Sequence, residues 1–168
     1  INNVSKTLKD DLSVEIKNGS KLSIAAACFS IYAFQELKNE LTNIDELRFI
    51  FTSPTFVTEK AKKEKREFYI PRLNRERSLY GTEFEIKLRN ELTQKAIAKE
   101  CAEWIKKKVS FKSNISDKTI QGGIVVDEVG YTPINNFTTI ELGCEKGNVI
   151  STTIVKDNSL AKTLLTDF

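Results

Sequence analysis

Apolar residues return every fourth position at Val4, Leu8 and Leu12, a spacing that predicts an opening amphipathic helix before the turn signal Asn18-Gly19-Ser20. The period then changes. "KLSIAAACFS" (21–30) is an unbroken small-apolar run, the signature of a strand covered on both faces, and predicts a strand over 22–28. "IYAFQELKNELTNI" (31–44) places Ile31, Phe34, Leu37 and Leu41 at helical spacing behind Ser30 as N-cap, which predicts a helix over 31–43. "ELRFIFTS" follows as a second apolar strand over 47–52. Strand, helix and strand within about 30 residues read as a βαβ unit with a right-handed parallel crossover. Its strand ends, Ser30 and Thr52-Ser53, become polar neighbours at one edge, where open α/β sheets bind ligands.

Residues 59–78 break the pattern, with eight Lys or Arg against four Glu around Phe68 and Tyr69. Thr82 and Glu85 then form a capping box, and Phe84, Leu88, Leu92, Ala96, Cys101 and Ile105 mark one face of a long helix over 83–107. "VSFKS" predicts a short strand over 109–112. "TIQGGIVVDEVGYTPINNFTT" (119–139) predicts a hairpin with strands over 120–127 and 131–141. Together these elements predict an α/β fold, one mixed β-sheet flanked by helices, in a single domain over 1–168. Near the end, Asn158 or Ser159 is placed to cap a helix carrying Leu160 and Leu164 on one face. A chain that stops within that pattern, at Phe168, is expected to be part of a longer protein.

Composition narrows the chemistry. The chain has no His, which removes the usual general base, phosphorus-attacking nucleophile and transition-metal ligand. Ser-His-Asp hydrolases, Cys-His proteases and imidazole nucleases fall away with it. Cys28, Cys101 and Cys144 are widely spaced and odd in number, so they predict buried free thiols and neither a disulfide framework nor a metal site. No cofactor is expected. A net charge of +3 from 26 basic and 23 acidic residues is mild, so only its distribution along the chain can indicate a partner. No apolar run approaches a membrane span and no leader is visible, which predicts a cytoplasmic protein with no membrane partner.

Several residues are candidates for a site. Gln121, Asn135, Asn136 and Thr138 cluster at the hairpin end, either as neutral donors for a phosphate or sugar or as ordinary turn residues. Gly122-Gly123 marks a bulge or a close backbone approach. Lys60, Lys62, Lys63, Lys65, Arg66, Arg72, Arg75 and Arg77, interleaved with Phe68 and Tyr69, are the best nucleic-acid-binding candidates, joined by Lys106, Lys107 and Lys108. The competing view of the basic segment is a solvated loop whose glutamates cancel half its charge. Asp127-Glu128 reads as a hairpin turn, because consecutive strand residues face opposite sides and cannot easily share an ion. Phe29, Phe34, Phe49, Phe51, Phe84 and Trp104 read as core packing. No phosphate-binding loop is present; Gly147-Asn148 lacks the Gly-Lys-Ser/Thr ending, so any ATPase lies outside this segment.

The order of "KLSIAAACFSIYAFQELKNELTNIDELRFIFTSPTF", a long amphipathic helix and a hairpin ending "PINNFTTIELG" resembles the phospholipase D-like domain at the N-terminus of certain bacterial superfamily 2 helicases. Active members of the wider superfamily carry His-x-Lys-x4-Asp and then a Gly-Ser-x-Asn segment. Here Gln121 stands at the His position, Gly123 at the Lys position and Glu128 at the Asp position, and only Asn136 matches a functional residue. The resemblance therefore implies a phospholipase D-like half without its reaction. It predicts a non-catalytic module of a larger DNA or RNA helicase or restriction-type protein, with a degenerate groove at Ser30, Thr52, Ser53, Gln121, Gly123, Asn135, Asn136 and Thr138. Two alternatives stand beside it: a phosphodiesterase with a non-histidine mechanism, and a dimerisation module.

Overall fold

The computed structural model describes residues 1–53, 57–58, 68–69, 94–144 and 153–168. The basic segment Lys60–Arg77, apart from the strand pair at 68–69, and the first part of the 83–107 helix lie outside these residues. So do Phe84 and Gly147-Asn148.

One mixed sheet flanked by helices forms, as the sequence predicts, but it has six strands instead of the five expected, the added one being Val155–Asp157. Strands β1 (Lys21–Ala26), β2 (Glu46–Phe51) and β5 (Val109–Ser113) run parallel, with β2 between the other two. Beside β1 lie β6 (Gly123–Val126), β7 (Val129–Thr132) and β8 (Val155–Asp157), each antiparallel to its neighbour. A separate two-residue pair joins β3 (Val57–Thr58) to β4 (Phe68–Tyr69). The helices are α1 (Leu8–Glu15), α2 (Ile31–Glu36), α3 (Lys38–Leu41), α4 (Gln94–Lys108) and α5 (Asn158–Leu165). None among the described residues is long and apolar enough to cross a membrane.

Alternation along each strand sorts residues between two layers. Leu22, Ile24, Leu47, Phe49, Ile124, Val126 and Tyr131 face one side and pack with Leu8 and Leu12 of α1, Phe34 of α2 and Trp104 of α4. Phe29 sits at the centre of an aromatic group, with ring centroids 5.5 Å from Phe49, 5.7 Å from Phe111 and 5.6 Å from Phe137. The indole N–H of Trp104 donates to the Leu41 carbonyl at 2.8 Å, so this large ring is satisfied at both its apolar body and its polar tip. On the opposite side α5 covers only part of the sheet, with Ala161 and Leu164 against Val125.

Local signals explain most boundaries. Ser30 caps α2 by accepting from the Tyr32 and Ala33 N–H groups. Gly19 turns the chain at φ 83, and Asp127-Glu128 forms the two-residue hairpin turn, with Asp127 at φ 51. Four expectations are corrected. The opening helix begins at Leu8 behind Thr7, leaving Val4 65% exposed outside it. The predicted 31–43 helix is divided into α2 and α3 at Leu37. Strand β7 ends at Thr132 instead of continuing to 141, because Pro133 has no N–H to give the ladder and Thr138 and Glu141 start a helical turn. The cap of α5 is Asp157, one residue before the expected pair.

Away from the sheet ends, a buried polar network ties α1 to β7 and β8. Asp11, 2% exposed, accepts from the Tyr131 hydroxyl at 2.7 Å and from the Lys156 ammonium at 2.9 Å, and pairs with Lys6. Burial by itself raises the Asp11 carboxyl, but the hydrogen bonds from Lys6, Lys156 and Tyr131 outweigh it and hold the group at about 2. The Tyr131 hydroxyl is pushed well above its ordinary range by burial and by Asp11.

Candidate functional site

Parallel topology places the ends of β1, β2 and β5 at one edge, and the antiparallel partner β6 begins there, with Gly123 opposite Ala25. Four connections meet at this edge: 27–30, 52–53, 114–122 and 133–137. Their backbones are tied together. Ala27 donates to the Asn135 carbonyl at 2.7 Å, Phe137 to Cys28 at 2.9 Å, Ser30 to Phe137 at 3.0 Å and Thr52 to Ala26 at 3.0 Å. The connections that meet at this edge carry Ser30, Thr52, Ser53, Gln121, Asn135 and Asn136.

Their individual roles differ. Ser30 is fully buried and its oxygen is committed to capping α2. Thr138 is buried and its hydroxyl accepts from the Glu141 N–H. Gln121 is exposed; its amide donates to the Thr132 hydroxyl at 2.9 Å, which donates to the Gly122 carbonyl at 3.1 Å. Asn135 is exposed and Asn136 half-buried. Thr52 is half-buried and Ser53 exposed.

Gly123 does not line open space. A Cβ there would lie 2.8 Å from Leu164 Cδ1 and 2.9 Å from the Tyr131 carbonyl oxygen, so α5 occupies the volume on that side. Gly122 answers the choice between bulge and close approach. A Cβ would fall on the Ile134 carbonyl oxygen, 2.9 Å from its carbon, so the approaching backbone belongs to this chain's own 133–137 segment.

The lysines at the end of α4 are not part of this edge. Val109, which follows them, pairs with Leu47 at the start of β2, so Lys106, Lys107 and Lys108 sit at the opposite end of the sheet. Lys106 and Lys107 are exposed, whereas Lys108 donates to the Ile44 carbonyl at 2.7 Å. Beside them lies a groove of about 430 Å³ walled by Phe34, Lys38, Trp104 and Lys107, with Lys38 paired to Glu100.

Two further residues shape the edge, although the sequence pattern does not single them out. Asn114, 8% exposed, donates to the Lys118 carbonyl at 2.7 Å and accepts from the Ser116 N–H at 3.0 Å, fixing a loop that carries the exposed Lys118. Glu141, 9% exposed, uses one oxygen to accept both the Asn135 and Asn136 N–H groups at 3.2 Å. Burial raises its carboxyl above the ordinary value, and the two backbone donors oppose that rise. A sequence signal does exist: Thr138-x-x-Glu141 has the Thr-x-x-Glu spacing of a capping box.

Chemically, the edge offers neutral amides and hydroxyls, together with the exposed Asp117 carboxylate beside the exposed Lys118 ammonium in the 114–122 connection. Among the described residues no group of three or more His, Cys, Asp or Glu could hold a metal ion. The Cys101 thiol is pushed up to about 12 by burial, which leaves it unreactive near neutral pH. Cys28 is buried as expected, but Cys144 is only half-buried. No family model matches the chain, and neither a curated protein nor a solved structure matches it significantly.

Proposed function

We propose that this chain is a non-catalytic nucleic-acid-binding module that contacts a sugar-phosphate backbone at the carboxyl-end edge of its sheet. One observation carries the reading: loops from four parts of the chain converge at that edge with Gln121, Asn135 and Asn136, and the basic segment Lys60–Arg77 follows Ser53, which lies on the same edge. Neutral side-chain donors and backbone groups are how proteins commonly position phosphates without charge, and a basic run supplies the sequence-independent affinity. Catalysis is not part of the proposal. Gln121 is no nucleophile toward phosphorus, and the volume beside Gly123, where a phosphate-binding lysine would project, is filled by Leu164. Membership of a larger helicase or restriction-type protein is proposed on the sequence resemblance alone.

Salt dependence tests the proposal. Labelled single- and double-stranded DNA of unrelated sequences should bind at low salt, and affinity should fall as salt rises. Replacing Arg66, Arg72, Arg75 and Arg77 by Ala should lower the log-log slope by about 0.7 to 0.9 for each phosphate that is no longer neutralised, and by the same amount for every sequence. A wild type that binds no better than an uncharged control contradicts the proposal. Cleavage of the DNA would select the hydrolase reading, and self-association without ligand the dimerisation reading.

A further inference from the structure

Glu141 is a buried carboxylate spent on holding two consecutive backbone N–H groups. Such adjacent donors ordinarily make an anion-binding concavity, and here the anion is the protein's own. The peptide between Asn135 and Asn136 is also gripped from the other side, because the Asn135 carbonyl accepts from Ala27 at 2.7 Å. The carboxylate is itself anchored. The Glu141 N–H donates to Thr138 Oγ1, its carbonyl accepts from Asn3 Nδ2 at 2.8 Å, and the next carbonyl, Leu142, accepts from Lys9 N–H at 2.9 Å. A rigid chain of contacts therefore runs from the start of α1 to the two asparagines at the edge.

Resting on the nucleic-acid reading, we propose that Glu141 is a positioning residue that fixes the 135–136 turn so that the Asn135 and Asn136 amides meet the ligand backbone. Because the N–H pair is already occupied, a phosphate finds no anion hole at this turn. Recognition there falls to the two side-chain amides, and affinity depends on how well they are held.

A double-mutant cycle separates positioning from general stability, read as Kd for a labelled single-stranded oligonucleotide at low salt. Glu141→Ala and the pair Asn135→Ala with Asn136→Ala should each weaken binding about tenfold. The triple variant should also be about tenfold weaker, not about a hundredfold, because amides that are absent cannot be mispositioned. Glu141→Gln keeps an acceptor oxygen in place and should restore binding. Glu141→Asp, one methylene shorter, should reproduce the loss and serves if the Ala variant does not fold. Wild-type binding by Glu141→Ala, or an additive triple variant, overturns the proposal. Backbone amide exchange at Asn135 and Asn136 without ligand identifies which idea has failed. Exchange unchanged by Glu141→Ala sinks the clamp itself. Exchange that speeds in a protein whose wild type binds no oligonucleotide sinks the nucleic-acid reading, and the presentation role with it.

Discussion

Gly122→Ala is expected to lower stability by about 3 kcal/mol or more, at the upper end of what overpacking costs, because its Cβ would meet backbone on two sides. The Ile134 carbonyl oxygen occupies that volume, with its carbon 2.9 Å and the Ala25 carbonyl oxygen 3.3 Å from the new atom. No rotamer can relieve the contact. The Ile134 N–H also donates to the Gly122 carbonyl at 3.2 Å, so the segment cannot withdraw without breaking that bond. Gly19→Ala is the natural comparison. It has φ 83 and, among the described residues, only Asp45 Oδ1 nearby, at 3.8 Å, so strain of about 1–2 kcal/mol is expected there. Urea unfolding of both variants checks the order, and equal losses would mean that the 133–137 segment is not packed on Gly122 as described.

Asp11→Asn should cost about 2 kcal/mol at pH 7, and the cost should disappear in acid. The sign follows from the direction of the shift. The folded carboxyl lies at about 2 against 3.8 for the ordinary group, so its contribution is complete above pH 4 and is lost as the pH falls toward 2. Asn retains an acceptor for Tyr131 but gives Lys6 and Lys156 no charge to pair with. Asp11→Ala adds the penalty of a buried Tyr131 hydroxyl without this acceptor, on the order of a further 1–3 kcal/mol. Denaturant midpoints measured from pH 7 to pH 2 should converge for wild type and Asp11→Asn. A gap that persists unchanged at pH 2 would assign the loss to packing, not to charge.

Much of the sheet can be read from the chain because its signals are local. The run from Leu22 to Ala26 is apolar on every residue but Ser23, and it forms a central strand of the sheet. Ser30 caps its helix, and Asp127-Glu128 turns the hairpin, through contacts that span only a few residues. Errors arise where a distant contact decides. The 133–141 stretch looks like a strand by composition, yet Pro133 ends the ladder and Glu141 folds back on Asn135 and Asn136. Asp11 is a carboxylate that the apolar spacing of the opening helix does not single out, and the meeting of α1 with β7 and β8 buries it.

The candidate site is legible in part for the same reason. Ser30, Thr52, Ser53, Gln121, Asn135 and Asn136 lie on connections at one edge because strand ends can be read locally. The space beside Gly123 is filled by Leu164, a contact that nothing near Gly123 in the sequence announces. Lys106 to Lys108 group with the other cations by charge alone. The helix-to-strand order already implies otherwise: a helix that feeds directly into a parallel strand ends at the amino edge, away from the carboxyl ends of the strands.

Whether nucleic acid binds at the carboxyl-end edge of the sheet, as proposed, is therefore the most direct test. A titration of the isotopically labelled protein with a short single-stranded DNA at low salt, followed by backbone and side-chain amide shifts, distinguishes the two ends in one measurement. The account predicts perturbation at Thr52, Ser53, Lys118, Gln121, Asn135 and Asn136, with the amides of Lys106, Lys107 and Lys108 unmoved. Shifts confined to the lysine end, or none at any residue, would contradict it.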